Sequence, residues 1–355
     1  MDHRTPRGIH VTTVPILTGR RLPRWSTPVV AAAAILVGLV LQFGGISPLG
    51  LAPALFAAIG FIVARSTWSW ILEGRRHATD RLMGSLVVGA LLLALVPLVW
   101  ILITVAIRGY SVMNTEFITG TMRNIGPRVE GGGIGHAFVG TLQQVGIAAL
   151  ISLPIGIMTA IQLVEYGRGK TLSRWISFFV DVMTGVPSIV AGLFIYTAVI
   201  LTFGFSQSGF AAGLALTILM IPVVVRSTEE MLRIVPNSLR EGALALGIPK
   251  WRVITFVVLP TAISGIITGA MLAIARVAGE TAPLLLTTFL AQDVNFNAFD
   301  GSQTALPTFI WDQISRGTAP AIDRAWGGAY ALILFVLVLY AAARVIAAVF
   351  APARE

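Results

Sequence analysis

The chain has 355 residues, of which 56% are hydrophobic and only 12% charged, with a net charge of +9. Soluble domains carry about 25% charged residues, so the composition excludes an ordinary water-soluble fold. It contains no cysteine, which excludes disulfides, thiolate catalysis and cysteine-based metal sites, and its four histidines (His3, His10, His77, His136) lack ligand spacing.

Apolar runs recur that are long enough to cross a bilayer core, which takes about 20 helical residues. The first begins near Pro28, behind Arg20, Arg21 and Arg24. A cleaved signal peptide is the rival to a retained helix there; the late start and a second run close behind favour retention. Eight spans are predicted in all, at roughly 28–44, 49–65, 82–107, 136–164, 174–203, 210–226, 252–279 and 328–350. No internal repeat stands out. An even number of spans puts both termini on one side. With the N-terminus inside, 19 of the 25 Lys and Arg fall in internal segments and 5 in external ones, and Arg276 falls within a span. That asymmetry orients the chain with both termini cytoplasmic. It also assigns the net charge to cytoplasmic loops rather than to a nucleic-acid surface.

Two external segments are long, 108–135 with Gly131-Gly132-Gly133 and 280–327 with Asp293, Asp300, Asp312 and Asp323. Within the second, LPTFIWDQI (306–314) reads as a short interfacial helix with Trp311 at headgroup level. The internal turn EYGRGKT (165–171) invites comparison with a phosphate-binding loop. That motif needs glycine where Val164 stands, and the turn follows an apolar helix rather than a strand, so it is read as a basic turn.

In the fifth span, DVMTGVPSIVAGLF (181–194) places Gly185 and Pro187 where they break the helix, and Ser188 begins a second half. A helix N-terminus inside a membrane offers backbone N–H groups and positive dipole to an anion. Asp181, just before it, is either a functional carboxylate or the partner of a basic neighbour. Arg226 and Glu229 end the sixth span, as site residues or as topology-setting charges. In the seventh, Arg276 and Glu280 are four apart, on one helical face, where they can pair. Arg276 is either an intramembrane site, suited by its fork to a tetrahedral oxyanion, or a snorkelling charge near the outer interface.

The internal loop 227–251 carries a further helix. Pro236 interrupts, Ser238 and Glu241 have capping-box spacing, and residues 239–246 give about two turns. Gly247 then suits a left-handed terminator before Pro249. Two turns are not stable alone in water, so the segment packs either on its own bundle or in a partner's groove.

Here the sequence resembles the permease subunits of binding-protein-dependent ATP-binding-cassette importers. Their pattern, E-A-A, three residues, G, nine residues, I-x-L-P, matches Glu241-Gly242-Ala243, Gly247 and Val257-Val258-Leu259-Pro260, with Gly242 for Ala and Val257 for Ile. The segments GGGIGHAFVGTLQQ (131–144), GVPSIVAGLF (185–194), RSTEEMLRIVP (226–236), ARVAGETAPLLLT (275–287) and ALPTFIWDQI (305–314) look like the phosphate-specific branch of that family. The resemblance covers about residues 80–350. It implies an all-α polytopic membrane protein with a MetI-like six-helix core, residues 81–355, preceded by an extension over 1–80 with two extra transmembrane helices.

It further implies a permease of inorganic phosphate in a prokaryotic cytoplasmic (inner) membrane, without catalysis of its own. Residues 238–250 would form the coupling helix, with Ser238, Glu241, Gly242, Ala243, Gly247 and Pro249 facing the ATPase. The substrate path would use Arg276, Glu280, Arg226, Glu229 and Ser188. The implied partners are a second permease similar to PstC, a dimeric ATPase similar to PstB holding ATP and Mg, and an external phosphate-binding protein similar to PstS. A sulfate or molybdate permease is the nearest alternative, and an ion-driven secondary transporter a more distant one.

Overall fold

The computed structural model describes residues 22–43 and 52–350, apart from 24 and 168. Arg4, Arg7, Arg20, Arg21, Arg24, Arg168 and Arg354, part of the charge asymmetry, lie outside the described residues. Those described contain helices and no strand. The helices are α1 (Ser26–Phe43), α2 (Ala52–Glu73), α3 (Arg75–Tyr110), α4 (Thr115–Thr119), α5 (Gly135–Ile161), α6 (Thr171–Thr184), α7 (Ser188–Ile195), α8 (Gly209–Ile234), α9 (Asn237–Ala245), α10 (Lys250–Val253), α11 (Leu259–Ala278), α12 (Ala282–Thr287), α13 (Leu306–Arg316) and α14 (Ala319–Phe350). Three π-helical turns, Gln162–Tyr166, Tyr196–Thr202 and Ile254–Val258, extend α5, extend α7 and join α10 to α11.

Among the described residues, five helical stretches are long and apolar enough to cross a membrane: Arg75–Tyr110, Gly135–Tyr166, Gly209–Ile234, Lys250–Ala278 and Ala319–Ala348. A sixth is the predicted broken span, Thr171–Thr184 with Ser188–Thr202, bent by 104°. Pro187 at the N-cap of α7, with φ −59° and ψ 137°, supplies the break. The protein is therefore multi-pass. α14 starts nine residues before the predicted span, because Asp323 and Arg324 in its first turns interrupt the apolar run.

The chain divides into two compact units, Met1–Ile101 and Leu102–Glu355. In the first, α1 and α2 pack as a hairpin, and α1 is apolar over Ser26–Val40. Glu73 ties this unit together. Its carboxylate accepts from Ser69 Oγ and from Arg81 Nη2, both at 2.7 Å, and from the backbone N–H of Leu22.

The second unit is built around α8. α5 runs parallel to it, as shown by Gly156 against Val224, Gly213 against Ile147, and Ser152 Oγ donating to Thr217 O at 3.4 Å. α11 runs antiparallel, with Gly265 at Met231 and Gly269 at Ser227. These directions match the predicted alternation of spans. Ala148, Ala212 and Ala273 are fully buried in the seam. In lipid no hydrophobic drive separates tails from side chains, so small residues that let backbones approach are the main source of helix association.

The predicted interfacial helix is α13, with Trp311 exposed and Leu306, Phe309 and Gln313 buried. The long segment before it is ordered by Gln303, which is 2% exposed. It donates to Gln143 Oε1 and Asn295 O, and its backbone N–H meets Thr288 Oγ1 at 2.8 Å.

Candidate functional site

Loop 227–251 closes the bundle at the end where α8 stops and α10 begins. Val235 leaves α8 in extended conformation, and Pro236, at φ −61° and ψ 139°, is the N-cap of α9. The predicted capping box is not formed: Pro236 starts the helix two residues early, Ser238 falls inside its first turn, and no side chain caps it. The predicted terminator is in place, since Gly247 has φ +77°, a conformation that only glycine adopts without cost. On α9 only Arg240 and Ala243 are buried. Ser238, Leu239, Glu241, Gly242, Leu244 and Leu246 are exposed, as are Gly247 and Pro249. The helix thus touches its own bundle along one narrow line and presents a mixed apolar and acidic face outward.

Two buried charges make that line. Arg240 donates from Nε and Nη2 to Glu165 Oε1, at 3.0 and 2.8 Å. It also donates to the carbonyls of Leu232 and Val235 at 2.7 and 2.6 Å. Lys250 Nζ donates to the carbonyl of Glu165 and lies 5.1 Å over the Tyr166 ring. An open cleft beside the pair is lined by Asn237, Glu241, Leu244, Val253 and Ile254.

Further along α8, Arg226 and Glu229 are brought together as predicted, with partners that the spacing does not reveal. Arg226 Nη1 meets Glu229 Oε2 at 2.6 Å, and Arg233 Nη2 meets Glu229 Oε1 at 2.5 Å. Arg226 Nη2 pairs with Asp181 of α6 and donates to Ser177 O and Oγ, each at 3.2 Å. The bland reading of Asp181 as a basic residue's partner is therefore met. The Glu229 side chain is 5% exposed and that of Asp181 66% exposed, so the cluster runs from the core to an open face.

Arg276 and Glu280 do not pair. α11 ends at Ala278 with Gly279 as its C-cap, so Glu280 leaves the helix before a shared face exists. Arg276 is exposed, Glu280 half-buried, and neither forms an ion pair among the described residues. Arg276 sits eleven residues, about three turns, beyond Gly265, on the stripe that faces α8 through Gly265 and Gly269. The register puts it level with Met220, about 9 Å along the axis from Arg226 at 1.5 Å per residue. Ser188 opens α7 with no side-chain cap, which leaves the first backbone N–H groups free. One turn on, a Cβ on Gly192 would stand 2.6 Å from Pro283 Cα. Gly192→Val is therefore expected to force α7 off α12 at about 1–3 kcal/mol, read as a lowered melting temperature of the detergent-solubilised protein; an unchanged melting temperature would mean that this contact yields freely.

Comparison with known proteins fits this geometry. The family model for the binding-protein-dependent transport system inner membrane component matches residues 152–355. The phosphate transport system permease protein PstA of Mycobacterium leprae (strain TN) is 50% identical over 246 residues, 69% of this chain and 81% of the relative. The chain belongs to the PstA family of transport permeases. Another member, PstA 1 of Mycobacterium tuberculosis (strain ATCC 25618 / H37Rv), is 44% identical over 77% of this chain and 88% of its own. PstA of Pasteurella multocida (strain Pm70) is 40% identical over 76% of this chain and 95% of its own. Among solved structures, a chain of the MetNI methionine ABC transporter in an inward-facing conformation aligns with TM-score 0.51 and 18% identity, over 68% of this chain and all of that one. That likeness confirms the MetI-like importer-permease fold.

Within this PstA-family chain the sequence pointed to α9, the helix break and Arg226–Glu229. It did not point to the Arg240–Glu165 pair, whose members are 75 residues apart, or to Arg324, counted as a loop charge. Arg324 is 3% exposed and donates to Gln313 Oε1 and Val129 O, both at 2.8 Å. A buried cation of this kind has no periodic signature.

Proposed function

We propose that this chain is the transmembrane permease subunit of an ATP-driven importer of inorganic phosphate, coupled to a separate ATPase through residues 238–250. The observation that carries the reading is 50% identity to a phosphate transport permease over 81% of that protein's length. The chain supplies half of a translocation path, a second permease of PstC type the other half, and a phosphate-binding protein of PstS type delivers the ion. α9 lies on the cytoplasmic side with both termini, and its exposed face enters a groove on a dimeric ATPase of PstB type, which holds the ATP and Mg. No catalytic role falls to this chain. Residues 81–355 form the permease domain and 1–80 an N-terminal extension.

The path residues follow from charge. Free donors favour an oxyanion at Arg276 and at the open N-terminus of α7 that begins with Ser188. Glu280, half-buried beyond α11, lines the approach to Arg276. Nearer the cytoplasm, Arg226 is held by Glu229 and Asp181, so phosphate exchanges places with a carboxylate there rather than meeting a bare cation.

Co-purification of the chain with the second permease, the ATPase and the binding protein tests the reading. ATP hydrolysis in proteoliposomes is expected to rise on adding phosphate together with the binding protein, and not with either alone. Stimulation by sulfate or molybdate in place of phosphate would overturn the substrate assignment.

A further inference from the structure

We propose that Arg240 is the positioning residue through which the coupling helix moves the bundle, with Glu165 as its anchor. The inference rests on the functional reading above and adds to it the route by which motion leaves α9.

Three observations carry it. First, Arg240 joins three elements at one point: it belongs to α9, bonds the last carbonyls of α8 at Leu232 and Val235, and grips Glu165 at the end of α5. Second, α9 has little else to hold it. Its only other buried residue is Ala243, and a two-turn helix does not persist on propensity. Third, both neighbours of the clamp are π-helical. Glu165 lies in the turn Gln162–Tyr166, and the turn Ile254–Val258 precedes α11. π-turns are irregular and cluster at functional sites, and Lys250 bridges the two regions by donating to the Glu165 carbonyl.

Energetics support a positioning role over a stabilising one. A buried ion pair contributes little net stability relative to an apolar pair of the same volume, while its directional bonds fix one geometry. Arg240 has guanidinium bonds in three directions, so a displacement of α9 cannot occur without moving the ends of α5 and α8. Apolar packing at the same place would let α9 slide. α5 and α8 are the parallel pair at the centre of the unit, and α8 carries Arg226 and Glu229. A push on α9 therefore reaches the charge cluster directly.

The test compares phosphate accumulated with ATP hydrolysed in proteoliposomes holding the complete transporter. Arg240→Met keeps the volume and removes the bonds. It is expected to lower the phosphate moved per ATP hydrolysed at least about tenfold, within the range of site-to-site coupling. Arg240→Lys keeps the charge but loses the fork, and is expected to fall between Met and the wild type in phosphate moved per ATP. Glu165→Gln keeps the shape of the anchor and is expected to lower the same ratio.

If Arg240→Met does not assemble, Arg240→Lys and Glu165→Gln carry the test. An unchanged ratio in the variants that assemble overturns the inference, as does a parallel loss of uptake and hydrolysis, which marks the pair as merely structural. Absence of phosphate-dependent hydrolysis in the wild-type complex would instead sink the functional reading.

Discussion

Arg276→Gln is expected to reduce phosphate uptake by about tenfold to a hundredfold while the complex still assembles. Hydrogen bonds to charged groups contribute about 1.5–3 kcal/mol, and each 1.4 kcal/mol is about a factor of ten. Glutamine keeps a planar polar end but loses the charge and the fork. The residue suits direct contact because its guanidinium forms no ion pair among the described residues, whereas Arg226 is already committed to two carboxylates. Its position in the last turn of α11 also matters. A cation there is favoured by the helix C-terminus, so it needs no acid beside it and stays available for an anion. Initial uptake rates, normalised to assembled complex, check the expectation. Arg276→Lys separates charge from geometry, since a point charge attracts phosphate without bidentate contact. Uptake equal to wild type in the glutamine variant would return Arg276 to a snorkelling role.

What the sequence made legible follows from the range of each signal. Pro187, Gly247 and Pro236 act on their own backbone, so the break in the fifth span and the end of α9 could be placed to within a residue or two. Apolar length likewise marked six of the eight predicted spans; the other two, 28–44 and 49–65, are not among the stretches long and apolar enough to cross within the described residues. Pairing across the fold was not legible: Asp181 with Arg226 and Glu165 with Arg240 are separated by 45 and 75 residues, and any of several acids would have satisfied the spacing. The two errors have a common cause. Both the capping box at Ser238 and the pair Arg276–Glu280 assumed that a helix runs where i, i+3 or i, i+4 spacing exists. A proline start two residues early undid the first, and a glycine end undid the second. Family resemblance could name candidate path and coupling residues because it does not depend on knowing the contacts.

The charge cluster on α8 gives a second large effect, with a sign. Arg226 and Arg233 balance Asp181 and Glu229, so the group is neutral as built. Arg226→Met turns it into a net negative patch on the proposed route of an anion, and Glu229, with its side chain 5% exposed, keeps only Arg233. Like-charge juxtaposition costs several kcal/mol, so uptake is expected to fall by about a hundredfold or more. If electrostatics is the cause, removing one acid should repair it. The double variant Arg226→Met with Asp181→Asn restores neutrality and is expected to recover at least about tenfold over Arg226→Met alone, which by linkage is about 1.4 kcal/mol. Asp181→Asn by itself leaves the patch positive and Arg226 partly released, and should transport at least as well as wild type at low phosphate. The acid on α6 would then be a brake on anion capture, holding Arg226 until phosphate displaces it. A double variant no better than Arg226→Met would mean instead that the bonds of Arg226 to Ser177 and Glu229, and not the field around them, are what passage requires.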